Sequence, residues 1–217
     1  MGFQLPGFEQ GRTYAPREIF YSTQNQEWKP GGIILDGTTA TPASDGGNGL
    51  FPYEIRAGWW VGTYTAAPTK ARLCTLTRAV GAGAATATLI VANAGAFVAG
   101  DAITVNAVAK VILSINYTTN TITLTTTATW SNNDFVLGTD GSQIPQGVVS
   151  EFTKLKNVDN TVAIDKSSKL AIGGELDQGM LLGDTASIIA WVNFSVANMG
   201  TNYLKGFKIF LANVRTF

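Results

Sequence analysis

The stretch VAKVILSINYTTNTITLTTT, residues 108–127, decides the fold class. In its second half Ile122 and Leu124 alternate with threonines, so a period of two puts the aliphatic side chains on one face and the hydroxyls on the other. Upstream, TATLIVANAGAFVAGDAITV, residues 86–105, ends in a Gly100-Asp101 turn and a short strand. β-Branched residues bounded by turn formers favour extended chain, and the two runs together predict a small antiparallel β module.

Composition marks out the same region. Between Ala79 and Gly141 the only charged residues are Asp101, Lys110, Asp134 and Asp140. The module is therefore expected to occupy 79–141, inserted in a β domain split between 31–78 and 142–217. In the first half of that domain, IRAGWWVGTYT (55–65) is bounded by Gly58 and Gly62 and predicts a strand or hairpin. In the second half, GVVSEFTKLKN (147–157) is followed by turn signals at Gly173-Gly174 and Gly183-Asp184. KGFKIFLANV (205–214) alternates Phe207, Ile209 and Leu211 and predicts a closing strand. SIIAWVNFSVANMG (187–200) is too uniformly apolar for periodicity to choose between a buried strand and a short helix. No fixed-period repeat and no sustained amphipathic helix is present, so the expected fold is all-β.

Residues 1–30 show no sustained period but space out Phe3, Phe8, Tyr14, Phe20, Tyr21 and Trp28. Aromatics distributed in this way suit an extended arm that lays its rings into pockets on a partner; the alternative is an arm that packs back on its own domain. Trp59 and Trp60 fall on opposite faces of any strand, so one ring is expected in the core and the other at an interface or exposed. Adjacent tryptophans also make sugar platforms, but stacking needs both rings on one face.

The 217-residue chain is long enough to bury a core without staples. Lys+Arg and Asp+Glu balance at 15 each, and charged residues make up 14% of the chain. There is no basic tract to meet nucleic acid, and so little charge suits a chain that lives inside an assembly. The start, MGFQLPGFEQ, lacks the basic and apolar regions of an export signal, and no later apolar run approaches a membrane span, so neither nucleic acid nor membrane is an expected partner. The single Cys74 excludes an intramolecular disulfide and is expected as a small buried strand residue.

The absence of histidine removes the commonest general base and the Ser-His-Asp and Cys-His arrangements. One cysteine and no histidine cannot make a zinc site, and Lys169 and Leu176 stand where a calcium loop starting at Asp165 would need oxygens. GAGAAT (81–86) has Thr86 at the third glycine position of a dinucleotide fingerprint and no helix signalled after it. Glu151, Glu175 and Asp177 remain as carboxylates for glycoside hydrolysis, each with a simpler role as a solvated strand-end or turn charge. No catalytic residue, metal or cofactor is expected.

Three segments, IRAGWWVGTYT, KARL (70–73) and DGSQIPQGVVSEFTKLK (140–156), carry a resemblance. They are similar to the head decoration proteins of lambda-like tailed phages at Ala57, Gly58, Gly62, Thr65, Asp140, Gly141, Pro145 and Gly147, with Val148 in place of an isoleucine. The similarity covers about half the chain and leaves out the middle module, which looks like an insertion at a loop tip. It implies a compact β domain that forms homotrimers on the outer surface of the expanded phage head. It also implies the major capsid protein as partner and an N-terminal arm that reaches neighbouring capsid subunits; Trp59 and Trp60 are the expected trimer or glycan surface. The rival expectation is a host-attachment or glycan-binding component of a fibre or tail, with the module at 79–141 or the Trp59-Trp60 pair meeting sugars.

Overall fold

The computed structural model describes residues 19, 26–44, 53–157, 159–177, 180–190 and 208–212; for Gly174, Glu175, Asp177 and 208–212 it describes the backbone alone. Among these residues the protein is all-β, with a 3₁₀ turn at Gly37–Thr39 and a short helix over 185–190. Eight strands form a main sheet: β1 (Glu27–Trp28), β2 (Ile33–Leu35), β4 (Trp60–Thr63), β5 (Lys70–Leu73), β12 (Pro145–Val149), β14 (Lys166–Ser168), β15 (Leu170–Asp177) and β16 (Lys208–Ala212). Their order is β1-β15-β12-β4-β5-β2-β14, with β16 added in parallel to β15. A two-stranded ribbon pairs β3 (Glu54–Ile55) with β13 (Thr153–Lys154).

The quoted stretch forms the long hairpin of a second sheet. Its strands β9 (Val108–Asn116) and β10 (Thr121–Trp130) pair antiparallel, with Ile122 and Leu124 buried between flanking threonines. Asn116 Oδ1 accepts the N–H groups of Thr118 and Thr119 in the connecting turn, and Asn120 closes it in the left-handed region (φ 50°). The preceding hairpin joins β8 (Ala102–Val105) to β9 through Asn106 and Ala107, both at positive φ (50° and 60°), the twist a two-residue hairpin requires. With β6 (Leu76–Arg78), β7 (Gly83–Ile90) and β11 (Phe135–Gly138) the order is β6-β11-β8-β9-β10-β7. The Ala79–Val91 bridge brings the two ends together, so the sheet curls into a small barrel. The barrel begins at Leu76, slightly before the change in composition.

Both faces of the main sheet are covered. Along β4, β12 and β15 neighbouring residues enter different clusters: Trp60 against Val61, Val148 against Val149, Ala171 against Leu170. One cluster is shared with the barrel, where Phe97, Ile103, Ile122 and Leu124 meet Trp59, Val61 and Leu73. The region read as an insertion thus has its core in common with the main sheet. The other cluster is closed by Ile19, Leu181 and Ile188. Ile188 belongs to the short helix, so the undecided segment starts as helix; residues 191–200 lie outside the described residues. Asp184 opens that helix, its Oδ1 accepting the Ser187 N–H at 3.1 Å. Its Oδ2 accepts the Thr77 hydroxyl at 2.9 Å and the Arg78 N–H at 3.1 Å, which fixes the helix start to the barrel.

One buried ion pair ties the barrel to the sheet. Arg72, on β5, has a side chain only 3% exposed. Its Nη1 and Nη2 donate to the two Asp101 oxygens at 2.8 and 2.7 Å, and Nη2 donates also to the Ala96 carbonyl at 2.9 Å. Asp140 adds a longer contact at 3.4 Å. Asp101 in turn accepts the Val98 N–H at 2.8 Å, so the pair also pins the loop that carries Phe97 into the core. A fork-to-carboxylate pair holds geometry well, and removing one partner leaves a charge buried without compensation. Arg72→Met and Asp101→Asn should each cost about 3–5 kcal/mol in urea unfolding, and the double variant clearly less than their sum. Additive losses would show that the two groups are not energetically coupled.

Candidate functional site

Of the arm aromatics, Phe3, Phe8, Tyr14, Phe20 and Tyr21 lie outside the described residues. Trp28 does not belong to a free arm. It pairs through β1 with Ala171 of β15, and Ile19 is buried in the core at 2% exposure. Ile19 and the Glu27–Trp28 strand are therefore each anchored on their own domain, while residues 1–18 and 20–25 lie outside the described residues. The reason is local: β15 offers an open backbone edge that Glu27 and Trp28 satisfy, and Ile19 fills the second cluster.

Trp59 and Trp60 require a correction. Their rings do point to opposite faces, but both are buried, at 3% and 2% exposure, so the pair makes no exposed two-ring platform. Trp59 packs in the cluster shared with the barrel and donates Nε1 to the Ser44 carbonyl at 2.7 Å. Trp60 packs under the short helix and donates to Thr185 Oγ1 at 3.3 Å. A strand of a sheet covered on both faces buries both members of an adjacent pair, and the covering elements, Ile19 and the helix at 185–190, carry no periodic signal in the sequence.

Of the three candidate carboxylates, Glu151 alone has a described side chain. Glu151 accepts the Lys169 N–H at 3.0 Å at an exposed position, while Glu175 and Asp177 are described by their backbone in β15 alone. Among the described residues no three Asp, Glu, Cys or His side chains gather in a group able to hold a metal ion, and no helix is long and apolar enough to cross a membrane. Cys74 is buried; burial, with the Asp140 charge adding, pushes its thiol far above its ordinary range. A thiol so placed is a packing group.

Two concavities stand out among the described residues. The first, about 630 Å³, is lined by Trp28, Lys29, Ser150, Glu151 and Lys169, and its indole is 40% exposed. The second, about 570 Å³, lies where the barrel rim meets the main-sheet side, among Trp59, Asn93, Tyr117, Thr118, Asn120 and Leu182. Tyr117 is held by its hydroxyl, which donates to the Phe97 carbonyl at 2.8 Å, and burial pushes its phenol up to about 12. Sequence reasoning passed over this crevice because its members come from distant segments, and its asparagines look like ordinary turn residues.

The outer barrel surface is the most unusual feature for function. Val80, Ile90, Val108, Val111 and Leu113 are between 41% and 61% exposed. The few charges nearby are engaged. Asp101 and Asp140 serve Arg72, Asp134 accepts the Ser131 N–H, and Lys110 donates to Thr126 and the Thr127 carbonyl. Compared with protein-family models and with curated proteins, the sequence finds no match. The fold and the surface therefore define a class, an all-β protein with a nearly chargeless barrel face.

A polar cluster at the other end of the main sheet gives a pH test. The Asp165 carboxyl receives Lys70 Nζ at 2.6 Å and the Gly37 N–H at 3.1 Å, and Lys70 holds it below its ordinary 3.8. For Asp36, burial would raise the carboxyl, but the hydroxyl and N–H of Thr38 and the phenol of Tyr64 outweigh it and the net shift is downward. A depressed carboxyl contributes stability that is present above the unfolded value and lost as pH falls through the folded one. Carboxyl titrations followed by NMR should place both midpoints below 3.8, and Lys70→Met should return Asp165 toward that value. An ordinary Asp165 midpoint in the unaltered protein would show that Lys70 does not hold it in solution.

Proposed function

We propose that this chain is a non-enzymatic structural protein of a tailed-phage head, a decoration or cement protein that binds the outer surface of the expanded shell as a homotrimer. The observation that carries the reading is the barrel's outer surface, where five large apolar side chains are exposed and the few charges are engaged in ion pairs or hydrogen bonds. Such a face has little to keep it apart from neighbours, and it suits a protein that is covered in an assembly. The resemblance at Gly58, Gly62, Asp140, Gly141 and Gly147 points the same way, although these positions also have local reasons. A Cβ on Gly58 would overlap the Met180 carbonyl, and one on Gly62 the Ser142 carbonyl.

In this reading three linked copies raise the effective concentration of each remaining contact, so weak docking of single segments to the major capsid protein becomes firm. Selective binding to the expanded shell requires that the docking sites exist only there, because a ligand shifts an equilibrium only by its differential affinity. A second reading, a host-attachment component that binds glycans, is favoured by the aromatic-lined concavities at Trp28 and Tyr117.

Quantitative mass spectrometry of purified virions separates the two. A near-equimolar ratio to the major capsid protein is expected for a cement protein; a ratio typical of a tail or fibre component would overturn it. Removal of residues 1–17, which keeps Ile19 and β1, should leave the trimer folded and abolish binding to expanded shells. Full binding by the shortened chain would sink the role given to the N-terminal segment.

A further inference from the structure

The crevice between the barrel rim and the main sheet has an unusual polar lining. Asn93 Oδ1 accepts the Gly95 N–H at 2.7 Å, and Asn120 Oδ1 accepts the Ala94 N–H at 2.9 Å. An amide nitrogen cannot accept from a backbone N–H, so these bonds fix which way each carboxamide is turned. Both oxygens are consumed by two successive amides of one loop. The two Nδ2 groups have no partner among the described residues. They are donors whose orientation is fixed by the Oδ1 bonds, on residues that line the same cavity as Tyr117, Thr118 and Trp59.

None of the described residues lining the crevice carries a charge. An anion or a cation would give up its hydration there without a counter-charge. A purely apolar guest would cover two amide donors and leave them unpaired, which costs more than their hydrogen bonds return. The Tyr117 hydroxyl is already committed as a donor to the Phe97 carbonyl, so its oxygen can act towards a guest only as an acceptor. A guest that fits is uncharged, carries oxygens that accept and hydroxyls that donate, and has an apolar face to lay on an aromatic wall.

We infer that this crevice binds a neutral saccharide, with the Asn93 and Asn120 carboxamides donating to its oxygens and Tyr117 forming the wall. This deepens the glycan-binding reading and is independent of the cement reading, since a shell-bound protein can carry a sugar site on its outward side. Copy number in the virion tests that other reading separately, so the two can fail independently.

The test uses the full-length protein with chitotriose, maltotriose and lactose as probes in saturation-transfer NMR. At least one should receive saturation and titrate to a single site. Asn93→Asp and Asn120→Asp keep an oxygen for the Gly95 and Ala94 amides while deleting the donor, so the loop stays bonded. Each should weaken binding about tenfold, and the pair more. Thr118→Trp, on the exposed turn at the crevice mouth, should block binding without touching either asparagine. Trp28→Ala, in the other concavity, should leave it unchanged. Absence of transfer from all three probes, unaltered affinity in the folded Asp variants, or retained binding in Thr118→Trp would overturn the inference.

Discussion

The contact between Arg72 and Asp101 constrains everything around it. Arg72 comes from a strand of the main sheet and Asp101 from the barrel, and their bidentate bonds at 2.8 and 2.7 Å fix the two sheets in one relative position. The guanidinium has been taken out of water, a cost that its bonds to Asp101, Ala96 and Asp140 offset only while the geometry is kept. The pair therefore contributes more to specificity of arrangement than to net stability. It also ties up Asp101, one of the barrel's few charges, in the interior.

From that arrangement follows a main sheet buried on both sides. The barrel covers one face through Phe97, Ile103 and Leu124, and Ile19, Leu181 and Ile188 cover the other. Strands in such a sheet need apolar residues at successive positions, as Trp59-Trp60-Val61 and Val148-Val149 provide. The tight glycines serve the same packing: at Gly62 the β4–β12 pairing brings the Ser142 carbonyl where any Cβ would stand. Among the described residues, the barrel's outer face and the concavities at the rims are left for interaction.

The all-β class was legible because alternation in residues 108–127 is a local signal, set by the period of an extended chain. The charge-poor stretch 79–141 holds five of the six strands of the barrel sheet, β6 falling before it. What could not be read were the relations between distant segments. Nothing near Trp60 announces that Ile19 and a helix at 185–190 will cover it, so an alternating pair looked half-exposed. Arg72 and Asp101 are likewise unremarkable where they stand, and only the fold makes them partners. The aromatic spacing before Trp28 was visible, yet β1 pairing depends on an open edge of β15 that the sequence does not mark. Asn93 and Asn120 carry ordinary turn signals, and their shared hold on the Ala94-Gly95 amides belongs to the three-dimensional loop alone.

A rigid body of this kind suits a part that must transmit load between neighbours, because a barrel able to swing on its sheet could not clamp anything. The most direct measurement is native-state hydrogen exchange under increasing urea. Amides of Ile103 and Ile122 in the barrel and of Val61 and Leu73 in the main sheet should all open through a single transition, with the same free energy and the same denaturant dependence. Barrel amides that open at a separate, lower free energy while the main sheet stays protected would contradict the view of one cooperative body locked at Arg72.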